Sequence, residues 1–151
     1  AEQAKSECYM WLGEVFDNTA LNELAHARVV VRTFLRIIGT TLDNLKDSLA
    51  GETNEYENLY KEFQETAERE GFTQIAKFYK ELREVEESHA RAFKDFIDKL
   101  EDGTMFEGPV ESKWYCMNCG YIYEGSEAPA VCPLCGYPRG YFKQYCEITN
   151  L

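Results

Sequence analysis

Apolar residues recur at helical spacing through the first hundred residues of the chain, with charged residues between them. This spacing predicts four helices, over residues 1–12, 14–38, 41–70 and 73–101. Gly39, Gly71 and Gly103 follow the last three helices, where glycine is a common stop signal. Because amphipathic helices bury their apolar stripes against one another, the pattern predicts an all-α four-helix bundle.

The pattern changes after Asp102. No proline occurs before that residue, whereas all four prolines of the chain follow Gly103. Proline avoidance followed by proline and glycine punctuation indicates a helical domain and then a loop-rich one. We therefore expect a bundle over 1–103, a linker over 104–113 and a small β/loop domain over 114–151. About forty residues are too few for an ordinary hydrophobic core, so a bound metal is expected to stabilise the fold of this tail.

The tail contains two Cys-x-x-Cys pairs, each followed by a glycine. The cysteines are Cys116 and Cys119 in the first pair and Cys132 and Cys135 in the second, with twelve residues between the pairs. Two such turns facing each other form a tetrahedral four-thiolate site, which suits zinc or a single iron. Two structural disulfides are the alternative, and they require an oxidising compartment. The spacing favours the metal.

Charge and composition exclude some classes of partner and indicate the cellular compartment. The formal net charge of −11 argues against nucleic acid or an anionic membrane as the partner. The sequence shows no apolar run of membrane-spanning length and no signal-peptide layout at its start. Cys8 and Cys146 remain as singletons and are expected to be inert thiols. These features predict a soluble, cytoplasmic protein.

The two histidines of the chain each follow a glutamate by three residues, in the pairs Glu23/His26 and Glu86/His89. Residues three apart lie on one face of a helix, so each pair can present two ligands together. Core-type apolar residues surround both pairs. Solvated glutamates and ordinary histidines are the alternative, but they do not explain why both histidines occur in the same motif.

Glu52 and Glu55 place two carboxylates on one face of the third predicted helix. In four-helix bundles, a pair of iron or manganese ions is held by a glutamate from each of two helices and a Glu-x-x-His from each of the others. Several ionised carboxylates in a bundle core repel one another, and two metal ions offset that charge. The pattern indicates a dimetal site that also takes a glutamate from the first helix, with Tyr56 and Tyr60 nearby.

Together these motifs resemble the rubrerythrin family, over essentially the whole chain. The similar segments are AGETNEY at 50–56, EGFTQIA at 70–76, YCMNCGYIY at 115–123, CPLCG at 132–136 and Phe142. The resemblance implies an all-α four-helix ferritin-like bundle followed by a small, metal-stapled rubredoxin-like β/loop domain. It also implies two non-haem iron ions in a diiron-carboxylate site and one iron in the four-cysteine site, where zinc is a possible substitute.

The resemblance further implies a role for each candidate ligand. Glu23 and Glu86 would bridge the metals, whereas the terminal ligands would be Glu2, Glu52, Glu55 and His89. His26 and Glu55 would exchange as ligands to one iron between the reduced and oxidised states. The implied activity is a peroxidase-type oxidoreductase that reduces hydrogen peroxide to water and serves in oxidative-stress defence. The four-cysteine iron would pass single electrons to the diiron pair.

The implied partners are a homodimeric second copy and an electron-donor protein, either rubredoxin or an NAD(P)H-dependent reductase. Three other functions stay open at this point. The chain could be a ferroxidase or iron-handling protein, or an oxygen-reducing diiron protein. It could also be a zinc-ribbon interaction module on an inert bundle.

The two halves of the predicted bundle differ in length. Glu52 precedes Glu86 by 34 residues, but Glu2 precedes Glu23 by only 21. One hypothesis is that the sequence lacks residues before Ala1 and around Gly13. A genuinely shortened hairpin that turns at Gly13 is the alternative. We expect Glu2 to be the first-helix ligand, with Glu7 as the other candidate.

Overall fold

The structure, a computed structural model, describes residues 1–145 of the chain, so the singleton Cys146 lies outside the described residues. The chain divides into two compact units, Ala1–Asn44 and a second unit that begins at Leu45. In the described part, four helical segments precede a small antiparallel sheet, which confirms the predicted fold class. The domain bounds 1–103, 104–113 and 114–151 stay a prediction. None of the helices within 1–145 combines the length and the apolar character that a membrane span needs.

The first unit contains a short helix and a long one. Its elements are α1 (Glu2–Ser6), α2 (Met10–Val29) and a π-helical continuation of α2 (Val30–Leu35). The chain turns at Cys8, which has a left-handed φ of 66°. Lys5 Nζ lies 2.6 Å from Asp17 Oδ2, and this ion pair ties α1 to α2.

The break between the first two helices lies at Cys8, so the predicted helices 1–12 and 14–38 are wrong at this boundary. Gly13 is a buried residue inside α2, where an added Cβ would lie 2.5 Å from Cγ of Lys5. The glycine leaves room for the lysine side chain, and the helix continues through it. The turn of this hairpin lies at Cys8, after the five-residue α1, and not at Gly13, while the hypothesis of missing residues stays a prediction.

The second helical segment also ends earlier than predicted. It stops at Leu35, because Arg36 takes the left-handed conformation that closes many helices, with φ of 51°. Thr40 then starts the next helix as a capping residue. Its hydroxyl and backbone N–H both bond to Asp43 Oδ2, at 2.7 and 3.0 Å, and its hydroxyl accepts the Asp43 N–H at 3.2 Å.

The following elements form a long helical hairpin. They are α3 (Thr41–Asn54), a π-helical turn (Glu55–Leu59), α4 (Tyr60–Arg69) and α5 (Thr73–Glu101). Gly71 has φ of 81°, and the N–H of Phe72 reaches back to the carbonyl of Ala67 at 2.8 Å. This closure confirms the predicted stop at Gly71 and lets α5 return along α4, where Ala67 and Ala76 are buried.

The small sheet has the strand order β2-β1-β3, and both pairings are antiparallel. Its elements are β1 (Lys113–Cys116), β2 (Ile122–Glu124), a 3₁₀ turn (Arg139–Tyr141) and β3 (Phe142–Gln144). Its core consists of Trp114, Cys116, Ala128, Cys132 and Phe142. Two of these five side chains are cysteines, so the core of the sheet is continuous with the four-cysteine group.

Two candidate metal centres

A group of two carboxylates and one imidazole joins α3 and α5. Donor atoms of Glu52, Glu86 and His89 all lie within 4.8 Å of one another. His89 Nδ1 is 2.8 Å from Glu86 Oε2 and 3.5 Å from Glu52 Oε2. Glu86 is only 9 % exposed, and a carboxylate buried to that degree is costly unless a partner or a cation offsets its charge. The donor types and their spacing suit a metal site between helices.

The surroundings of the Glu52 carboxylate show whether a cation would fit this group. Its Oε2 atom is buried and has no hydrogen-bond partner among the described residues, since the 3.5 Å contact with His89 exceeds a normal hydrogen bond. Buried polar atoms in native proteins are nearly always satisfied. A metal ion with carboxylate and imidazole ligands would satisfy this oxygen, so the residues present fit the group.

Burial raises the pKa of Glu52 above its ordinary value, and the neighbouring Glu86 raises it further because the two carboxylates lie close together. His89 acts in the opposite direction but is outweighed. Without a cation, the pair of carboxylates therefore retains a proton to a higher pH than a free glutamate does. A metal ion must displace that proton when it binds.

We expect Glu52→Gln to stabilise the metal-free chain at neutral pH. A folded-state pKa above the ordinary 4.5 contributes stability at lower pH, and this contribution is lost as the pH rises through the folded pKa. Glutamine does not ionise, so the free energy of unfolding of the variant should exceed that of the parent by about 1 kcal/mol near pH 7 and equal it near pH 4. Urea unfolding of the metal-free protein measures this difference. An equal gain at both pH values would indicate improved packing instead of removed charge.

Glu55 lies on the π-helical turn that follows α3. The N–H of Tyr60 donates to the carbonyl of Glu55, five residues earlier, and the Tyr60 hydroxyl bonds to the Glu55 carboxylate. That hydroxyl bond, with burial second, raises the pKa of Tyr60. Tyr56 differs, because its hydroxyl bonds to Glu57 Oε1 at 3.2 Å. Of the two tyrosines expected near the site, Tyr60 contacts a predicted ligand through its hydroxyl.

The first unit holds the other predicted ligands. Glu23 Oε2 and His26 Nδ1 are 3.2 Å apart on one face of α2, and both side chains are 70 % exposed. Glu2 lies in the first turn of α1, and the Glu7 carboxylate accepts a hydrogen bond from Gln3. The ligand roles of Glu2, Glu7, Glu23, His26 and Glu55 stay predictions.

The four cysteines of the tail converge on one point. Cys116 Sγ is 3.8 Å from Cys135 Sγ, and Cys119 Sγ is 3.7 Å from Cys132 Sγ. A disulfide requires about 2.05 Å, so these sulfurs are free thiols. A tetrahedral ion with bonds of about 2.3 Å separates its sulfur ligands by about 3.8 Å. The spacing therefore fits a single four-thiolate metal ion and excludes two disulfides.

Each cysteine pair closes on a glycine with left-handed backbone. Gly120 has φ of 79° and Gly136 has φ of 75°. Their N–H groups donate to the carbonyls of Cys116 and Cys132, at 2.8 and 2.9 Å. Residues with a Cβ rarely adopt this conformation, which explains why glycine follows both pairs in the sequence.

Hydrogen bonds to sulfur differ between the cysteines. The Asn118 side chain and then the backbone N–H of Tyr137 lower the pKa of Cys135 to about 6. The backbone N–H of Tyr121 favours the Cys119 thiolate, but burial and the other cysteines outweigh it and raise the pKa of Cys119 to about 12. A bound cation would replace the retained protons. Sequence reasoning gave no role to Asn118, and its place between two cysteines was the available signal.

Comparisons with known proteins match two family models to this chain. Residues 43–118 match the family model described as rubrerythrin, and residues 114–143 match the model of the rubrerythrin rubredoxin-like domain. A solved structure of nigerythrin in a partially reduced state aligns with 24% identity and a TM-score of 0.42, covering 95% of this chain and 74% of that one.

Two curated relatives are more similar in sequence. Rubrerythrin of Porphyromonas gingivalis is 38% identical over 156 residues, which cover 95% of this chain and 78% of that protein. Rubrerythrin of Nitratidesulfovibrio vulgaris is 34% identical over 153 residues, which cover 93% of this chain and 80% of that protein. With the family matches and the two donor groups, these relatives show that the chain belongs to the rubrerythrin family of oxidoreductases, with a diiron-carboxylate centre and a four-cysteine iron centre.

Proposed function

We propose that this protein is a peroxidase that reduces hydrogen peroxide to water, in defence against oxidative stress. One observation carries the proposal: two donor groups of different chemistry occur in one chain. Carboxylates and imidazole suit a catalytic iron pair, whereas four thiolates suit an iron that carries single electrons. A storage or ferroxidase protein needs only the first group, so the second favours an enzyme supplied with electrons.

When bound, two reduced irons supply the two electrons that convert peroxide to water. The proposed ligands of this pair are Glu2, Glu23, His26, Glu52, Glu55, Glu86 and His89. Glu86 brings its negative charge into a buried position, where water competes little for the metal. Tyr60 holds the Glu55 carboxylate through its hydroxyl and so fixes the orientation of a terminal ligand. His89 lies against Glu86, which orients the imidazole ring.

The electron donor is proposed to be a protein, either rubredoxin or an NAD(P)H-dependent reductase. Met117 and Leu134 lie between the cysteines of the two pairs and are 53 % and 67 % exposed, so they offer an apolar contact close to the sulfurs. Donor and acceptor centres exchange electrons faster when such a contact brings them close. The proposal includes a homodimer and a cytoplasmic location.

The full chain loaded with iron tests this function. We expect a visible ferric-thiolate absorption that NADH, a reductase and rubredoxin bleach, and that stoichiometric hydrogen peroxide restores. Steady-state assays should show NADH oxidation that depends on peroxide. Faster turnover with dioxygen would support an oxygen-reducing protein instead, and accumulation of ferric iron from added ferrous iron would support a ferroxidase. A colourless protein that retains zinc would contradict the proposal.

Asn118→Ala should lower the reduction potential of the four-cysteine iron. The Asn118 side chain hydrogen-bonds Cys135 and stabilises negative charge on its sulfur, which favours the reduced centre because that state carries the extra charge. We expect a downward shift on the order of tens of millivolts. Spectroelectrochemical titration of the thiolate absorption measures it. Asn58→Ala, on the π-helical turn, is a control with an asparagine that bonds Asn54 and should leave the potential unchanged.

A further inference from the structure

We propose that Arg83 is a positioning residue of the diiron centre, a role that rests on the proposed function. Arg83 is half-buried on α5, three residues before Glu86. Its Nε donates to the carbonyl of Tyr56 at 2.8 Å, and its Nη1 donates to Gln64 Oε1 at 3.0 Å. One guanidinium therefore joins the helix that carries Glu86 to the π-helical turn that carries Glu55.

The Tyr56 carbonyl needs this donor because of the π-helical turn. In an α-helix, the carbonyl of Tyr56 would accept the N–H of Tyr60, four residues later. Here the N–H of Tyr60 goes to the carbonyl of Glu55, five residues earlier. The Tyr60 N–H is therefore not available to the Tyr56 carbonyl, and Arg83 donates to that carbonyl instead. A guanidinium is suited to the task because it presents several donors in a fixed fork.

The π-helical turn matters because it brings Glu55 and Tyr60 together. In an α-helix, two side chains five residues apart point about 140° away from each other. The wider turn moves them onto the same side, where the Tyr60 hydroxyl holds the Glu55 carboxylate. Holding the turn therefore holds a proposed iron ligand. Arg83 acts on Glu55 through the backbone, without touching the ligand itself.

The test uses the full chain with iron already in its four-cysteine site, and cobalt(II) as the probe of the helical site. In Arg83→Met we expect the Tyr60 amide to exchange with solvent at least about tenfold faster, because the π-helical turn loses its clamp. Cobalt affinity should fall about 10- to 100-fold, with an altered visible d–d spectrum, as is usual when a residue that orients a ligand is lost. A generic packing role would not act selectively on the Tyr60 amide.

Two further variants sharpen the result. Arg91→Met removes an arginine of the same helix that pairs with Glu87 at 2.7 Å, and it should match the parent in both readouts. Arg83→Lys keeps one donor for the Tyr56 carbonyl. Its Tyr60 amide exchange rate and its cobalt affinity should lie within about threefold of the parent values. If Arg83→Met does not fold, Arg83→Gln is judged by the same measurements, because its shorter side chain also removes the donor to the Tyr56 carbonyl.

Parent-like amide exchange and cobalt affinity in the folded Arg83→Met or Arg83→Gln variant overturn the proposal. This failure is separate from a failure of the proposed function, which Glu86→Ala tests. If Glu86→Ala loses cobalt while Arg83→Met keeps it, the diiron assignment stands and the role of Arg83 is wrong. If Glu86→Ala keeps cobalt, the diiron assignment fails and the role of Arg83 in that centre fails with it.

Discussion

Glu86→Ala is expected to remove the diiron centre and lower peroxide turnover by at least about 100-fold, more than the loss typical of an orienting residue. Glu86 contributes a buried carboxylate that contacts His89 at 2.8 Å and raises the pKa of Glu52. Its loss removes a proposed bridging ligand of the pair and reduces the group that joins α3 and α5 to Glu52 and His89. Iron content should fall from about three ions per chain to about one, the ion of the four-cysteine site.

The fold should survive this substitution, which makes the result interpretable. Removing one of two neighbouring buried carboxylates relieves repulsion in the metal-free chain, so the unfolding midpoint should not fall by more than a few degrees. Glu87→Ala is the matched control, because Glu87 is adjacent, 44% exposed and paired with Arg91 at the surface. It should keep the iron and the turnover of the parent. Full turnover in Glu86→Ala would end the assignment of the helical site.

The parts of the fold that the sequence predicted are those set by local spacing. Cysteines three apart can share one turn, and the glycine after each pair supplies the left-handed residue that closes it. Glu86 and His89 are three apart, so any helix presents them together. Gly71 ended its helix as predicted, since a left-handed glycine satisfies the last carbonyls. In each case the decisive interaction lies within a few residues along the chain.

The parts that the sequence did not predict depend on contacts between distant residues. Gly13 was expected to break a helix, but Lys5 packs against it and the helix continues. The π-helical turn at Glu55–Leu59 has no signature in the apolar pattern, and one of its contacts is with a guanidinium from α5. Asn118 is a surface-type residue by composition, and its bond to the thiol of Cys135 follows from the closed cysteine group. Periodicity cannot register such partners.

Cys132→Ser is expected to empty the four-cysteine site and unfold the small sheet around it. Cys132 is 2% exposed and belongs to the same core as Trp114 and Phe142, so it is both a ligand and a packing residue. The family model of this domain spans only residues 114–143, and domains below about 40 residues rarely fold without a metal or a disulfide. A thiolate-bound metal contributes on the order of 10 kcal/mol to such a fold.

Spectroscopic and turnover measurements separate this loss from damage to the helices. In a Trp11→Phe background, the fluorescence of Trp114, which is 2% exposed in the parent, should shift to that of a solvated indole. The visible thiolate absorption should disappear, while helical circular dichroism and the iron of the helical site remain. NADH-driven peroxide turnover should fall to background. Chemically reduced protein should still consume about one peroxide per diiron pair, because electrons enter at the four-cysteine site whereas peroxide reacts at the helical site.

Cys8→Ser is the control for this prediction, because Cys8 is an exposed thiol in the turn between α1 and α2. It should leave the fluorescence, the visible spectrum and the turnover unchanged. If Cys132→Ser kept NADH-driven turnover, electrons would reach the helical site without the four-cysteine iron. The tail would then be a structural metal site, and the pairing of a one-electron carrier with a two-electron reaction would no longer account for both donor groups in one chain.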